Sequence, residues 1–210
     1  MSALSEDLLQ RWIALAGGDA ARSGAGVIGR YEEPHRRYHT TTHLAVMLAA
    51  IDELAEAADD IDAVRYAAFF HDAIYAVARA DNEEHSADLG RDVLESLGAP
   101  PELVDEVVRL VVLTRGHKPQ PGDANGAVLC DADLVVLGGT AEEYAAYTVA
   151  IRAEYAHVPD DLFRAGRASV LRNLADQPRL FRTDLAHDRY EAIARANLAA
   201  ELAELAAAIG

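Results

Sequence analysis

Apolar residues recur at intervals of three and four along almost every segment of this chain, and strict alternation of apolar and polar residues is nowhere sustained. A helix returns to the same face every three or four residues, whereas a strand does so every second residue. The stripe of His43, Met47, Ile51 and Leu54 is one example of the helical spacing. The sequence therefore predicts an all-α fold, a bundle of about eight or more helices.

Start and stop signals place the individual helices. Thr140 followed by Glu143 has the pattern of a capping box, in which each side chain bonds the backbone N–H of the other residue. Glycine, proline and capping residues set the remaining boundaries. The predictions are a first helix from Ser5 to Gly17, a short Gly- and Ala-rich loop after it, a capping box over 81–84, a helix opened by Pro101, a short buried helix over 127–137, a helix from about Asp160 and a long closing helix from about Thr183 that includes Ile209.

Length and hydrophobic content bound the number of domains. With 210 residues and 51% hydrophobic content, the chain can bury one sizeable core. The sequence has no internal repeat and no stretch with the composition of an interdomain linker. We predict a single domain over 1–210, in which 31–138 carry the core motifs and the helices of 140–210 pack on them.

The strong negative charge limits which partners the protein is expected to bind. A formal net charge of -16 repels polyanions, which argues against polymeric nucleic acid and against an anionic membrane surface as partners. The residues Met1 to Asp7 lack the basic-then-apolar order of a signal peptide, and no apolar stretch approaches the roughly 20 residues of a membrane span. The single cysteine, Cys130, cannot form an intramolecular disulfide. We expect a cytoplasmic protein that acts on small molecules.

A His-Asp doublet, His71-Asp72, ends the apolar run 67–70 and follows a histidine-rich segment that ends at His43. Where an apolar helix ends, the backbone can aim two adjacent side chains at one point. His43, the doublet and one of the pair Asp131/Asp133 lie on three separate predicted helices and are natural ligands for one ion. Mixed imidazole and carboxylate ligation suits one divalent ion, such as Mn, Fe, Co, Ni, Zn or Mg, and leaves coordination positions open, as in a catalytic site.

The order of these residues resembles that of the HD superfamily of metal-dependent phosphohydrolases, which is named for its His-Asp doublet. Further segments look like a bacterial subfamily of predicted, mostly uncharacterised members, and the resemblance covers roughly 31–202. An ordered set of this kind is a specific signal. The matching segments are Tyr31–His39 leading to His43, Phe70–Tyr75, Asp81–Ala87, Asp131–Gly138, Ile151–Tyr155, Gly166-Arg167 and Tyr190–Leu198.

The resemblance implies an all-helical fold of the HD type around a central metal ion that is held by His43, His71, Asp72 and Asp133. The last ligand of the family usually stands in an Ala-Asp pair followed by apolar residues, which favours Asp133, with Asp131 as the alternative. The implied reaction is hydrolysis of a phosphate ester, because a bound ion lowers the pKa of water from about 15.7 toward about 7.

A second carboxylate is then needed to orient the attacking water or to carry protons. Glu83 and Glu84 follow the loop after the doublet, and Glu83 is preferred because Asn82-Glu83 matches the subfamily motif. Asp72 is counted with them as catalytic. The two glutamates could equally complement the dipole at the first turn of a helix.

Binding an anionic substrate to so acidic a protein needs local positive charge. Basic residues beside the predicted metal segments are candidates, because arginine grips phosphate with a fork of donors and lysine with a point charge. These candidates are Arg36, Arg37, His39, His117 and Lys118, and Lys118 is the only lysine of the chain. The expected substrate is a small phosphorylated metabolite or a nucleotide.

Two other functions are carried as alternatives. The first is a non-enzymatic module of the HD fold that binds or senses a ligand. The second is an iron oxygenase, which resembles the hydrolases in fold but needs a second iron site, for which the chain offers His85 and His117. The long closing helix is also a candidate surface for a homodimer.

Overall fold

The computed structural model describes residues 2–207, and in that span it contains ten α-helices, three short 3-10 turns and no strand, which confirms the all-α class. The α-helices are α1 (Ala3–Ala16), α2 (Ala21–Arg30), α3 (Thr41–Glu53), α4 (Ile61–Phe70), α5 (Asn82–Ser96), α6 (Pro101–Leu113), α7 (Ala124–Leu134), α8 (Ala141–Glu154), α9 (Asp160–Ala175) and α10 (Asp184–Ala207). The 3-10 turns are Gly18–Ala20, Ala55–Ala57 and Val135–Gly138.

Helix α4 is the centre of the fold. Its residues Val64, Ala67, Ala68, Phe69 and Phe70 are at most 1% exposed. Asp62 and Arg65 in its first half have side chains 61% and 33% exposed, whereas the apolar second half is surrounded, and α4 packs on α2, α3, α5, α6 and α7. Because α4 ends at the buried Phe70, the doublet that follows it starts inside the protein.

Buried apolar side chains from all ten helices belong to one core cluster. The helices after residue 140 take part in it through residues such as Tyr144, Leu171, Ala194 and Leu198. The single domain remains a prediction from length and composition.

Several boundaries agree with the sequence. Thr140 and Glu143 form the predicted capping box, and Pro101 opens α6. The closing helix α10 begins at Asp184 and runs to Ala207. Ile209, predicted to belong to it, lies outside the described residues.

Other boundaries differ from the prediction. α1 begins before Ser5, because the Ser2 side chain caps it by accepting a hydrogen bond from the backbone of Ser5. The predicted capping box over 81–84 is wrong, since the Asp81 carboxylate caps no backbone N–H of α5 and bonds Arg79 at 2.9 Å instead. The short buried helix predicted over 127–137 is α7 followed by a 3-10 turn.

The Gly- and Ala-rich loop predicted after α1 is also wrong, because most of it forms α2. Glycine disfavours helix by its backbone freedom, but Val27 and Ile28 of α2 are at most 2% exposed and belong to the core. Gly24 faces the ring of Trp12, which is itself fixed by donating from Nε1 to the carbonyl of Ala20 at 3.0 Å. Packing of this face therefore outweighs the weak local propensity.

The surface of the described helices bears on two predictions. None of these helices is both long enough and apolar enough to cross a membrane. Helix α10 exposes Leu185 and Ile193 by 53% and 45%. A homodimer through this helix stays a prediction.

Replacing Gly24 with alanine is expected to destabilise the protein by about 1 to 3 kcal/mol, because the new Cβ would lie 2.3 Å from Cδ1 of the buried Trp12 ring. Gly26→Ala in the same helix is the matched control. A Cβ there meets nothing within 4 Å. Because alanine has less backbone freedom than glycine in the unfolded chain, Gly26→Ala should raise the free energy of unfolding by about 0.5 to 1 kcal/mol. Urea unfolding measures both, and equal effects of the two substitutions would contradict the packing of α2 on α1.

Candidate metal centre

The His-Asp doublet stands where α4 ends in the interior. The backbone N–H of His71 still bonds the carbonyl of Ala67 at 2.8 Å, and its ring Nδ1 lies 2.8 Å from the carbonyl oxygen of Ala68. Since a carbonyl oxygen only accepts, Nδ1 donates this bond. The end of α4 therefore orients the imidazole with Nε2 facing away from its own helix.

The other three predicted ligands lie close to this Nε2. His43, in the first turn of α3, places its Nε2 3.0 Å from that of His71. Asp133, near the end of α7, places Oδ1 3.2 Å from His43 Nε2 and 3.8 Å from His71 Nε2. Oδ2 of Asp72 lies 3.0 Å from His71 Nε2 and 3.9 Å from His43 Nε2. These four side chains, of which His43, His71 and Asp133 form a group that could hold a metal ion, are called the metal centre below.

The separations within the metal centre fit the ligands of one divalent ion. Two atoms that each lie about 2.1 Å from an ion are about 3.0 Å apart at a right angle and about 3.4 Å apart in a tetrahedron. The ligand atoms of His43, His71 and Asp133 all lie within 4.8 Å of one another. Imidazole and carboxylate together are also the donor set of a divalent transition ion, so this group could hold one.

The histidines and carboxylates of the metal centre shift one another's pKa values. Burial lowers the pKa of His71, but the carboxylates of Asp72 and Asp133 outweigh burial and raise that pKa to about 9. Burial raises the pKa of Asp72, yet the neighbouring His71 and His39 hold it well below its usual range. A protonated His71 thus balances the carboxylates of Asp72 and Asp133, which are 16% and 14% exposed, and a divalent cation bound there would take over that charge.

The structure separates the two aspartates of α7. Asp131 is fully buried, and its carboxylate accepts hydrogen bonds from the backbone N–H of Arg182 and Thr183, both at 2.7 Å, and from Thr183 Oγ1 at 2.8 Å. Through these hydrogen bonds, Asp131 anchors the segment that leads into α10. Asp133 rather than Asp131 therefore faces His43 and His71.

The prediction that Arg36 holds substrate does not fit its contacts. The side chain is buried, and all five N–H donors of its guanidinium have acceptors within the protein. Two bonds of 3.3 Å go to the Glu33 carboxylate, and the others go to the carbonyl oxygens of His39, Asp72 and Ala73 at 3.1, 2.7 and 3.1 Å. Arg36 ties the segment before α3 to the doublet and has no donor left for a phosphate.

The other predicted substrate-binding cations are exposed. Arg37 donates from Nη1 to the carbonyl oxygens of Pro34 and Arg36 at 2.6 and 2.8 Å. Lys118 is exposed, one residue beyond His117. Their role in substrate binding stays a prediction.

His117 is brought to the metal centre, where it contacts a ligand. Its Nε2 lies 2.7 Å from Oδ2 of Asp133, the carboxylate oxygen that does not face His43. Among the described residues other than glycine, His117 alone has a positive φ, of 49°. This uncommon backbone conformation turns the imidazole onto Asp133, where it fixes the orientation of the carboxylate.

Glu83 and Glu84 lie at the first turn of α5, and neither belongs to the metal centre. Both oxygens of Glu84 bond the Arg115 guanidinium, at 2.6 and 2.8 Å. The Glu83 carboxylate lies 3.8 Å from Nε of Arg115. Arg115 also donates to the carbonyl of Ala80, so the contacts of these glutamates serve the loop between the doublet and α5. Their catalytic role stays a prediction.

Glu154 lies beside the metal centre, behind His39, and the sequence analysis did not single it out. Its side chain is fully buried at the end of α8, and Oε2 accepts from the backbone N–H of Arg37, Tyr38 and His39 at 2.7, 3.0 and 3.2 Å. Oε1 lies 2.5 Å from Nδ1 of His39. The sequence did offer one signal for Glu154: it stands three residues after Ile151, on the same face of α8, and both side chains are buried.

Glu154 orients His39 toward the metal centre. With Nδ1 bonded to Glu154, the opposite ring nitrogen Nε2 lies 3.9 Å from Oδ2 of Asp72. The ring also stacks on Tyr75 with centroids 4.3 Å apart. Burial lowers the pKa of His39, but the carboxylates of Asp72 and Glu154 outweigh burial and raise it.

The chain matches no family model, no curated protein and no solved structure. The likeness to HD phosphohydrolases accordingly rests on the motifs of the sequence, and the site rests on the contacts described above.

Asp133→Asn is expected to remove bound metal, while Asp131→Asn, two residues away, is expected to keep it. The Asp133→Asn substitution removes the charged oxygen that faces His43. The Asp131→Asn substitution weakens the hydrogen bonds from the backbone of Arg182 and Thr183, and it should lower the free energy of unfolding by about 1 to 3 kcal/mol. Elemental analysis and chemical denaturation measure the two effects. Retention of metal by Asp133→Asn with its loss from Asp131→Asn would reverse the assignment.

Glu154 is expected to stabilise the protein in a pH-dependent way. Burial raises its pKa, but His39 and the backbone N–H donors outweigh burial and lower it from 4.5 to about 2. A lowered pKa gives stability that is complete above pH 4.5 and is lost as the pH falls toward 2. Glu154→Gln should therefore cost about 3 kcal/mol near neutral pH and progressively less between about pH 5 and pH 3. A difference between the proteins that stays constant over this range would contradict the lowered pKa.

Proposed function

We propose that the protein is a metal-dependent phosphohydrolase of the HD type that hydrolyses a phosphate ester of a small metabolite or nucleotide. The observation that carries this proposal is the convergence of His43, His71 and Asp133 from α3, the end of α4 and α7, with Asp72 3.0 Å from His71 Nε2. The order of the same residues in the sequence, which resembles the HD superfamily, supports it independently of the distances.

A divalent ion held by these residues would supply a Lewis acid, which acidifies water and polarises a phosphoryl oxygen. The protein's own contribution is to hold the ligands in place before the substrate arrives. Ala68 fixes the His71 ring, His117 fixes the second oxygen of Asp133, and Arg36 fixes the carbonyl of Asp72. Such outer contacts keep ligands oriented and raise metal affinity.

Exposure indicates the side from which a substrate reaches the metal centre. The side chains of His43 and His71 are 5% and 1% exposed, so the centre is closed behind them. Four other side chains are 14–20% exposed and border the open side, namely His39, Asp72, Asp133 and His117. The phosphate ester is proposed to enter there, with His39 and His117 at its edge.

We propose that His39 handles the proton of the leaving group. Glu154 holds its Nδ1, and Nε2 faces the open side of the metal centre. In hydrolysis, a bond forms between the water oxygen and phosphorus while the bond from phosphorus to the ester oxygen breaks. The proton on Nε2 goes to the departing oxygen, and the proton released by the water restores the imidazole.

The local charges favour a small substrate with one phosphate. Two arginines near the doublet and its loop, Arg36 and Arg115, are already bonded to Glu33 and Glu84. Lys118 beside His117 is exposed and positively charged. With a net charge of -16, the protein would repel a long polyphosphate or a polymer more strongly than a single phosphate group.

The contacts of the remaining histidines do not favour the iron oxygenase. His85 is exposed and bonds Asp81 at 3.2 Å, and His117 bonds a carboxylate that already belongs to the metal centre. A binding module without activity is the outcome if the experiment below finds metal and no reaction.

The protein is expected to copurify with about one divalent ion per chain and to release phosphate from small phosphate esters in a metal-dependent way. His71→Ala should lose the metal and lower phosphate release by about 10²-fold or more, because it removes a buried ligand nitrogen. The exposed His85→Ala is the matched control and should keep both. The measurements are elemental analysis and a screen of esters with Mn, Fe, Co, Ni, Zn and Mg. A loaded wild type that is inert on every ester, or a His71→Ala variant as active as wild type, would contradict the hydrolase.

A further inference from the structure

We propose that Glu154 is a positioning residue of the hydrolase, which acts through His39 and makes the site suited to phosphate esters of alcohols. This inference rests on the proposed function, because it assigns a role within the same reaction. Glu154 lies in α8, 111 residues after His43, and it does not touch the metal centre directly.

The two oxygens of Glu154 have different tasks. Oε2 accepts three successive backbone N–H groups, those of residues 37, 38 and 39, and so fixes the segment that leads into α3. Oε1 is left for Nδ1 of His39, at 2.5 Å. A carboxylate needed only for the backbone would not require the second contact, so Glu154 orients the ring as well as the chain.

The imidazole of His39 is held from more than one side. The Tyr75 ring packs against it at a tilt of 31° with centroids 4.3 Å apart, and Tyr38 meets it edge-to-face at 4.9 Å. With Nδ1 bonded to Glu154, the ring cannot turn over without breaking a buried, charge-assisted hydrogen bond. Nε2 is thereby kept on the side of Asp72, where the ester oxygen would depart.

This arrangement indicates the class of leaving group. An alkoxide is a poor leaving group and needs a proton as its bond to phosphorus breaks, whereas a nitrophenolate departs readily without one. A site that keeps a carboxylate-oriented imidazole at this position is therefore suited to esters of alcohols, such as sugar phosphates and nucleoside monophosphates. In the balanced step, Nε2 gives its proton to the alcohol oxygen, and the attacking water supplies the proton that replaces it.

A second buried carboxylate gives a matched control. Glu191 in α10 is 8% exposed and accepts from the backbone N–H of Leu180 and Phe181, at 3.0 Å for the shortest bond to each. Its charged partner is Arg195, at 2.6 Å, and Glu191 contacts no member of the metal centre. Glu191→Gln should thus reproduce the structural cost of losing a buried carboxylate without affecting His39.

The experiment compares two probe substrates, glycerol 2-phosphate and p-nitrophenyl phosphate, with the metal-loaded full chain. Glu154→Gln is expected to lower kcat for glycerol 2-phosphate by about 10²-fold and to change kcat for p-nitrophenyl phosphate far less, with metal content unchanged. His39→Gln should show the same pattern, and the double variant should be no worse than His39→Gln alone. Glu191→Gln should leave the ratio of the two activities at its wild-type value.

Nuclear magnetic resonance of protein with ¹⁵N-labelled histidine gives a readout that does not depend on activity. The Nδ1 proton of His39 should be protected from exchange and strongly downfield in the wild type, and Glu154→Gln should remove that signal while Glu191→Gln keeps it. If Glu154→Gln does not fold, the wild type still tests the role of Glu154, because an Nδ1 proton of His39 that exchanges fast and lies at an ordinary shift would overturn it.

The outcomes separate the two proposals. Equal losses on both esters in His39→Gln, or a double variant that falls well below His39→Gln, would overturn the role of Glu154 and leave the hydrolase intact. A metal-loaded wild type that releases phosphate from neither ester, nor from any in the wider screen, would overturn the hydrolase and the role of Glu154 with it.

Discussion

Burial of the apolar second half of α4 is the constraint on which the rest of the structure depends. Its apolar side chains have to be shielded from water, so five helices pack around it and its last turn ends in the interior. The carbonyls freed at that end need donors, and His71 gives one to Ala68 through its own ring. The end of a buried helix thus becomes the place where an imidazole is oriented without any further residue.

Buried carboxylates hold the irregular segments of this acidic protein. Asp131 receives the backbone N–H groups before α10, Glu154 receives those before α3, and Glu191 receives those of Leu180 and Phe181. Each removes the cost of unpaired backbone donors, and each is itself stabilised by those donors. Only Glu154 couples this structural task to a side chain beside the metal centre, because His39 follows the segment that it holds.

Much of the candidate site could be predicted from the sequence. His43, His71 and Asp133 were identified by residue type and order, and their ligand atoms lie within 4.8 Å of one another, with Asp72 3.0 Å from His71 Nε2. The points that the sequence did not foresee have physical causes of two kinds. Arg36 has the charge to bind phosphate, but every donor of its guanidinium is taken by a carboxylate or a carbonyl within the protein. The helix α2 was missed because glycine lowers local helix propensity, while the contact of Gly24 with Trp12 depends on α1.

The sequence by itself determined the helical class, the apolar stripe that buries α4 and the chemical types of the ligands, because these follow from local spacing and from the donor atoms of each side chain. Only the tertiary structure decided that Asp131 anchors backbone while Asp133 faces the histidines, since neighbouring positions of one helix differ in what surrounds them. It also decided the pairing of Glu154 with His39, two residues 115 positions apart. Such a contact is produced by the packing of whole helices, and nothing in the local pattern of either segment specifies it.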